Sequence, residues 1–463
     1  MNSSPTSSTQ QDQKRRSSQQ GGPRPKRAIC LAGGGPVAGL HIGALHGLKK
    51  NDLDFESEQD VWALSCIGAW VGIVYNQFTD GDKATKTYEF FRDNVFRDDE
   101  TFETFPINRI FGPDLTGNAD AIKDFLLEPA NYGKLFSSRK MMEAAANSMW
   151  QLTRKREDDW KWNEGNFSNW ILNDVLAVNP LVRLLTSMAY KSNINGLTKL
   201  YYPDSEFLKK IKFDNLFEDP KKEKEDNDYK RPPYIFHNAW NLSRKKLKLF
   251  CNDQTKGYKD DDGEPYKRLT PASVCACSAL PFVEQTVEID GDVYCEGALV
   301  DTVNFKNLLK DHGKTLNEIW INRIVDANQI RKPENLYDGL ANLCELFAAT
   351  VGEDDVSLFK SHVRENNRQK NGLAWKGTIV EIHTAADVTY AWSHKNLKHG
   401  CKRGAQAAED AYKLYRAYKD KPGKDGVLMI PDDLTDDEFK AVQLKPPARD
   451  DMGHIVHRGD ESN

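Results

Sequence analysis

The chain of 463 residues lacks any run of ~18 apolar residues, so it carries no membrane-spanning candidate. Its N-terminal 26 residues are rich in Ser, Gln, Pro and Gly and have no apolar core, which argues against a secretory signal and for a disordered tail. The eight cysteines are scattered rather than regularly spaced, and several sit inside apolar runs. There they behave as small hydrophobes, and with no signal peptide read, a reduced, cytoplasmic setting is the expectation. Cys275-Ala276-Cys277 has no second pair at zinc-ligand spacing, so no metal site is expected. No excess of basic residues exists either. The net charge is −5, which gives no field for nucleic acid.

What is present is an alternation of short apolar runs with helical patterns. Arg27–Ala32, Tyr234–Ala239, Lys248–Cys251, Glu318–Arg323 and Ile379–His383 read as strands, and 336–364 and 396–418 as helices. Such alternation argues for a mostly parallel sheet covered on both faces. The stretch from about 79 to 228 reads as an inserted helical cap, with helical patterns over 141–154 and 170–187. Its tryptophans, Trp150, Trp160, Trp162 and Trp170, suit packing of cap helices more than a membrane-contact surface. The expected organisation is a tail over 1–26, an α/β domain over 27–420 and an extended tail rich in Pro, Asp and Lys over 421–463.

Three segments carry chemistry. After the first strand, Gly33-Gly34-Gly35-Pro36 opens a helix. Glycines bring bare N–H groups close to a ligand, and a helix N-terminus favours an anion, either an oxyanion or a phosphate. The lysine of a phosphate-binding loop is missing, which weakens the nucleotide reading. Next, Val61–Leu64 runs through Ser65-Cys66-Ile67-Gly68 into a helical pattern, the outline of a strand-to-helix elbow that lifts a nucleophile. Third, two β-rich runs around Asp290-Gly291 read as a hairpin that delivers Glu296-Gly297-Ala298, then Asp301 and Asn304. A carboxylate there is a candidate general base or a solvated turn residue.

Together these segments, in this order, resemble the patatin-like acyl hydrolases (patatin-like phospholipases) over about residues 27–325. Gly33–Leu45 aligns without a gap on the family's glycine loop, Leu64–Ala69 on its elbow, Ser278-Ala279-Leu280-Pro281-Phe282 on its Ala-Ser-x-Ala-Ile-Pro segment, and Tyr294–Val303 on its acidic motif. Tyr390–Ser393 and the helix after it are similar to the end of some bacterial members. The resemblance implies a three-layer α/β sandwich and a dyad without cofactor. Cys66 stands as nucleophile where the family has Ser, Glu296 as base where it has Asp, and Gly33, Gly34 and Gly35 form the oxyanion loop. His41 matches a family residue and reads as structural support. Val37 for Arg, Ala38 for Gly and Leu64 for Gly also depart from the pattern, and Leu64 adds bulk where an elbow needs a small residue.

A helix N-terminus is expected to lower the thiol pKa of Cys66. His383 and His394 are conceivable third members. The functional expectation is a Cys–Glu acyl hydrolase acting on a lipid or other carboxylic ester through a covalent acyl-enzyme, with peripheral membrane contact as a possible accompaniment. The alternatives are a thiol-based acyltransferase, an inactive scaffold that binds a lipid or protein partner, and a serine enzyme whose nucleophile has been replaced.

Overall fold

The computed structural model describes residues 26–98, 111–113, 115–128, 196–200, 205–226, 229–326, 329–330, 332–334, 336–370, 374–383, 388–449 and 455–456. Its centre is one large sheet. The main strands are β1 (Arg27–Leu31), β2 (Val61–Leu64), β3 (Tyr234–Asn241), β4 (Lys246–Cys251), β5 (Val287–Ile289), β6 (Asp292–Glu296), β7 (Glu318–Arg323), β8 (Gly377–His383) and β9 (Val427–Ile430). The longer helices are α1 (Gly39–Lys50), α2 (Ile67–Asn76), α3 (Lys83–Asn94), α4 (Leu115–Leu127), α5 (Pro271–Ser278), α6 (Phe305–His312), α7 (Leu336–Gln369) and α8 (His394–Tyr418).

The strand order is β9-β8-β7-β1-β2-β3-β6-β5, with β4 on the other edge of β3. From β9 to β3 every neighbour is parallel. The chain builds β1, β2 and β3 in one direction and later returns to β1's other side with β7, β8 and β9. That reversal is a topological switch point, where the crevice beyond the strand C-termini is open for a ligand. The glycine loop and the elbow both leave the sheet there, from β1 and β2.

The strands are apolar on both faces because both are covered. Ile29, Leu31, Trp62, Trp320 and Val380 share a core with α1, α2 and α8. Ala28, Cys30, Ala63, Ile319 and Ile379 share another with Phe305 and Leu308 of α6 and Val356, Phe359 and Val363 of α7. The fold is a three-layer α/β sandwich with a mostly parallel sheet, as the sequence leads one to expect. The hairpin is also as expected: β5 and β6 pair antiparallel, and Asp290 (φ 54°) and Gly291 (φ 79°) take the left-handed conformations of a tight turn.

Two expectations need revision. Residues 421–463 are not all an extended tail. Val427-Leu428-Met429-Ile430 is a buried strand parallel to β8, and Asp436–Ala441 is a short helix. The four apolar residues were outweighed by the Pro, Asp and Lys around them. The insertion over about 79–228 is not purely helical: its Gly196–Leu200 strand joins Phe111–Pro113 and Phe282–Glu284 in a small second sheet. The helical patterns over 141–154 and 170–187, and the four tryptophans, lie outside the described residues.

Helix α8 packs directly on α1 through glycine. A Cβ on Gly43 would lie 2.1 Å from the carbonyl oxygen of Cys401, and one on Gly404 would lie 2.1 Å from that of Leu40. The contact is backbone on backbone, so no side chain can give way. Gly43→Ala is expected to lower stability by on the order of 3 kcal/mol in a urea titration, the cost of overpacking a rigid contact. An unchanged midpoint would refute this account of the pair.

Candidate active site

Cys66 stands between β2 and α2 with φ 48° and ψ −122°. A non-glycine residue there carries on the order of 1–3 kcal/mol of strain, which the surroundings must hold. Four contacts do so. The Cys66 N–H donates to Cys277 Sγ at 3.1 Å. The Ser65 N–H donates to the Leu31 carbonyl at 3.1 Å, tying the elbow to the end of β1. Ser65 Oγ donates to Asn238 Oδ1 at 3.0 Å. Asn304 Nδ2 donates to the Leu64 carbonyl at 2.5 Å. The acidic loop is fixed in the same network, because Asn238 Nδ2 donates to the Asp301 carbonyl at 2.7 Å and Asp301 Oδ1 accepts from the N–H of Asn304 at 2.7 Å.

Gly68 is required by space: its Cβ would lie 2.3 Å from the carbonyl oxygen of Leu31. Leu64, unexpected at an elbow, is accommodated by a second glycine. A Cβ on Gly72 of α2 would lie 2.6 Å from Leu64 Cδ1, so the leucine occupies the room that Gly72 leaves open.

The glycine loop reaches the nucleophile directly. A Cβ on Gly33 would meet the Cβ atoms of Cys66 and Ala298, both at 3.3 Å. Gly35 has φ 51°, and its Cβ would strike the Tyr390 hydroxyl at 2.6 Å. No hydrogen bond among the described residues uses the amide N–H of Gly33, Gly34 or Gly35, and all three residues line the cavity that holds Cys66. Pro36 lies in the first turn of a single 3-10 element over Gly35–Val37, where a missing N–H costs little. Ala38 is right-handed helical at φ −48°, a conformation alanine takes without strain.

Glu296 ends β6 and is 5% exposed. Its N–H donates to the Ala279 carbonyl at 2.9 Å, and its carboxyl lines the same cavity as Cys66, close enough for the two groups to perturb each other. Burial pushes the Glu296 carboxyl up to about 7. Burial first, then the neighbouring Glu296 charge, pushes the Cys66 thiol well above its ordinary value. Desolvation and a nearby carboxylate thus oppose the lowering expected from the helix N-terminus. A resting thiolate is disfavoured, and attack by sulfur requires its proton to leave at the same time.

His41 is buried, with Nε2 2.9 Å from the Ala32 carbonyl and Nδ1 3.0 Å from Asn322 Nδ2. Burial lowers its pKa to about 4, so it is a neutral brace between α1 and β7. His394 bonds Asp98 and the Arg92 carbonyl at the start of α8. His383 lies 3.7 Å from Glu381. Neither lines the cavity that holds Cys66.

That cavity has a volume of about 350 Å³ and contains Gly33, Gly34, Gly35, Cys66 and Glu296. Its walls are apolar: Ile67, Trp70, Leu280, Val283, Leu299 and, at the rim on α7, Leu343 and Phe347. Among the described residues no helix is long and apolar enough to cross a membrane, and no group of three or more His, Cys, Asp and Glu is placed to hold a metal ion.

The family description "Patatin-like phospholipase" matches residues 29–309, more than half of the chain and the whole of the elbow, glycine loop and acidic motif. The chain belongs to the patatin-like phospholipase family. This membership supports a lipid acyl hydrolase kind of function. Among curated proteins none matches the chain. Among solved structures, VipD from Legionella pneumophila is similar over 88% of this chain and 72% of its own, with 11% identity and a TM-score of 0.31.

Within this patatin-like site, sequence reasoning missed Asn238, Cys277, Tyr390 and Glu284. Asn238 offered a signal, an amide beside His237 in the middle of a mostly apolar strand. Cys277 offered none, because its role depends on α5 packing beside the elbow.

Proposed function

We propose that this patatin-like protein hydrolyses a lipid or other carboxylic ester through a thioester on Cys66. The observation that carries the reading is a strained Cys66 facing the buried Glu296 beside the unused Gly33 and Gly34 amides, at the bottom of an apolar cavity.

Sulfur attacks the ester carbonyl as the thiol proton passes to Glu296, and a C–S bond forms. The Gly33 and Gly34 N–H groups hold the oxyanion. Collapse breaks the C–O bond, and the leaving alcohol takes the proton from Glu296. Water then gives a proton to the carboxylate and attacks the thioester. The acid is released, and the proton returns to sulfur. With an alcohol in place of water the same steps would be acyl transfer.

A reading as a binding scaffold draws support from the protonated resting thiol and from Val37, which removes the family's cation beside the loop. The full chain treated with a p-nitrophenyl ester decides between them by intact mass and peptide mapping. An acyl adduct on Cys66 is expected. No adduct and no p-nitrophenol, from the native chain and from Cys66→Ser alike, would leave only the scaffold.

A further inference from the structure

Glu284 plays no part in the steps above, yet it lines the same cavity as Cys66 and Glu296. It ends the short strand Phe282–Glu284, held by pairing with Thr198 and by the bond from Thr198 Oγ1 to the Val283 carbonyl at 2.7 Å. Its backbone N–H donates to the Leu280 carbonyl at 2.8 Å. Its side chain is a different matter. The residue is 7% exposed, and among the described residues no donor or cation reaches its carboxyl. The charge it feels is the like charge of Glu296.

A buried polar group left unsatisfied costs about 1–3 kcal/mol, and an ionised one more. Native proteins rarely keep one unless something else completes it. Of the cavity's lining, Leu280, Val283 and Ile67 have nothing to offer, and the Ser278 and Thr302 hydroxyls already bond elsewhere. A ligand entering the cavity can supply the partner. Burial first, and then the Glu296 charge, pushes the Glu284 carboxyl well above its ordinary value, toward the protonated form. In that form it both donates and accepts one hydrogen bond. A hydroxyl has the matching pair of functions. A phosphate does not fit the same place, because among the described residues no Lys, Arg or His lines the cavity and two carboxyls do.

We propose that Glu284 is a specificity-determining residue that hydrogen-bonds a free hydroxyl of an uncharged acyl ester, such as a partial glyceride, and that the cavity disfavours anionic phospholipids. The ester is taken from the hydrolase reading above, whereas recognition of the hydroxyl can be measured without turnover.

The test uses the full chain carrying Cys66→Ala and three non-hydrolysable probes: the monooctyl ether of glycerol, the same ether with both hydroxyls methylated, and its glycerol phosphate. Binding is followed by calorimetry, with probes below their micelle concentrations. The free diol is expected to bind about 10-fold more tightly than either of the others, the value of one buried hydrogen bond. Glu284→Leu should erase the preference for the diol over its dimethyl ether. It should not lower the thermal midpoint, since it replaces an unpaired carboxyl by an apolar group. Glu284→Gln, which also donates and accepts, should keep most of the preference.

The inference fails if the diol shows no advantage over its methylated form, if Glu284→Leu keeps that advantage, if the phosphate binds as tightly, or if none of the probes binds. Ester turnover by native protein with any of these results removes the role of Glu284 alone. Glu284-dependent diol binding without ester turnover removes the hydrolase reading and leaves the recognition intact.

Discussion

Cys66→Ala is expected to lower turnover of a p-nitrophenyl ester by on the order of 10⁴-fold or more, with little change in binding of a non-hydrolysable ether. The nucleophile is the one group in the proposed site whose loss leaves no covalent route. Cys66→Ser is the sharper variant. The elbow is fixed by Cys277, Asn238, Asn304 and the Leu31 carbonyl, all of which hold backbone or Ser65 rather than the thiol. A serine will therefore stand in the same place with a shorter reach to Glu296. We expect activity to fall by about 10-fold or more, since small misplacements are costly in such steps. An increase would show that the site is suited to oxygen and that sulfur blocks it.

Glu296→Gln is expected to reduce kcat by about 10²–10⁴-fold, the usual contribution of a positioned base, and to change binding much less. The native pH profile gives a second reading. Glu296 accepts a proton only when ionised, and burial places its pKa at about 7. Activity should therefore climb as pH rises through about 7. A profile flat from pH 5 to 9 would exclude Glu296 as the base.

Stability runs the other way. The folded pKa of Glu296 is raised above the ordinary 4.5, so the native state holds its proton more tightly than the unfolded chain does. The associated stability is fully present below about pH 4.5 and is lost as pH rises through about 7. Its size is on the order of 3 kcal/mol. Glu296→Gln should flatten much of that loss in thermal melts between pH 5 and 8. Glu284, also raised by burial, contributes in the same direction, so part of the slope should persist. A native protein whose melting point is unaffected by pH across this range would contradict the buried state of both acids.

The two strongest effects thus share one cause. A carboxyl removed from water is a costly ion and a strong base. The same burial that raises its proton affinity weakens the fold at the pH where the base is free.

The sequence by itself determined the layers, the glycine loop after the first strand, the elbow after the second and the acidic hairpin. It could do so because those features are local. Apolar runs of strand length, glycines where a backbone must turn or be approached, and Asp290-Gly291 at a tight turn are each written within a few residues. The pairing of Cys66 with Glu296 came from the resemblance to the patatin-like family, and both residues line one cavity. What only the tertiary structure decided depends on residues far apart in the chain. Leu64 fits the elbow because Gly72 makes room for it, and β9 became a strand because β8 offered it an edge. Most of all, the protonation of the site was decided by packing. A thiol at a helix N-terminus reads as activated, but burial beside Glu296 opposes this, and neither the depth of that burial nor the presence of Glu284 in the same cavity is encoded in any local stretch.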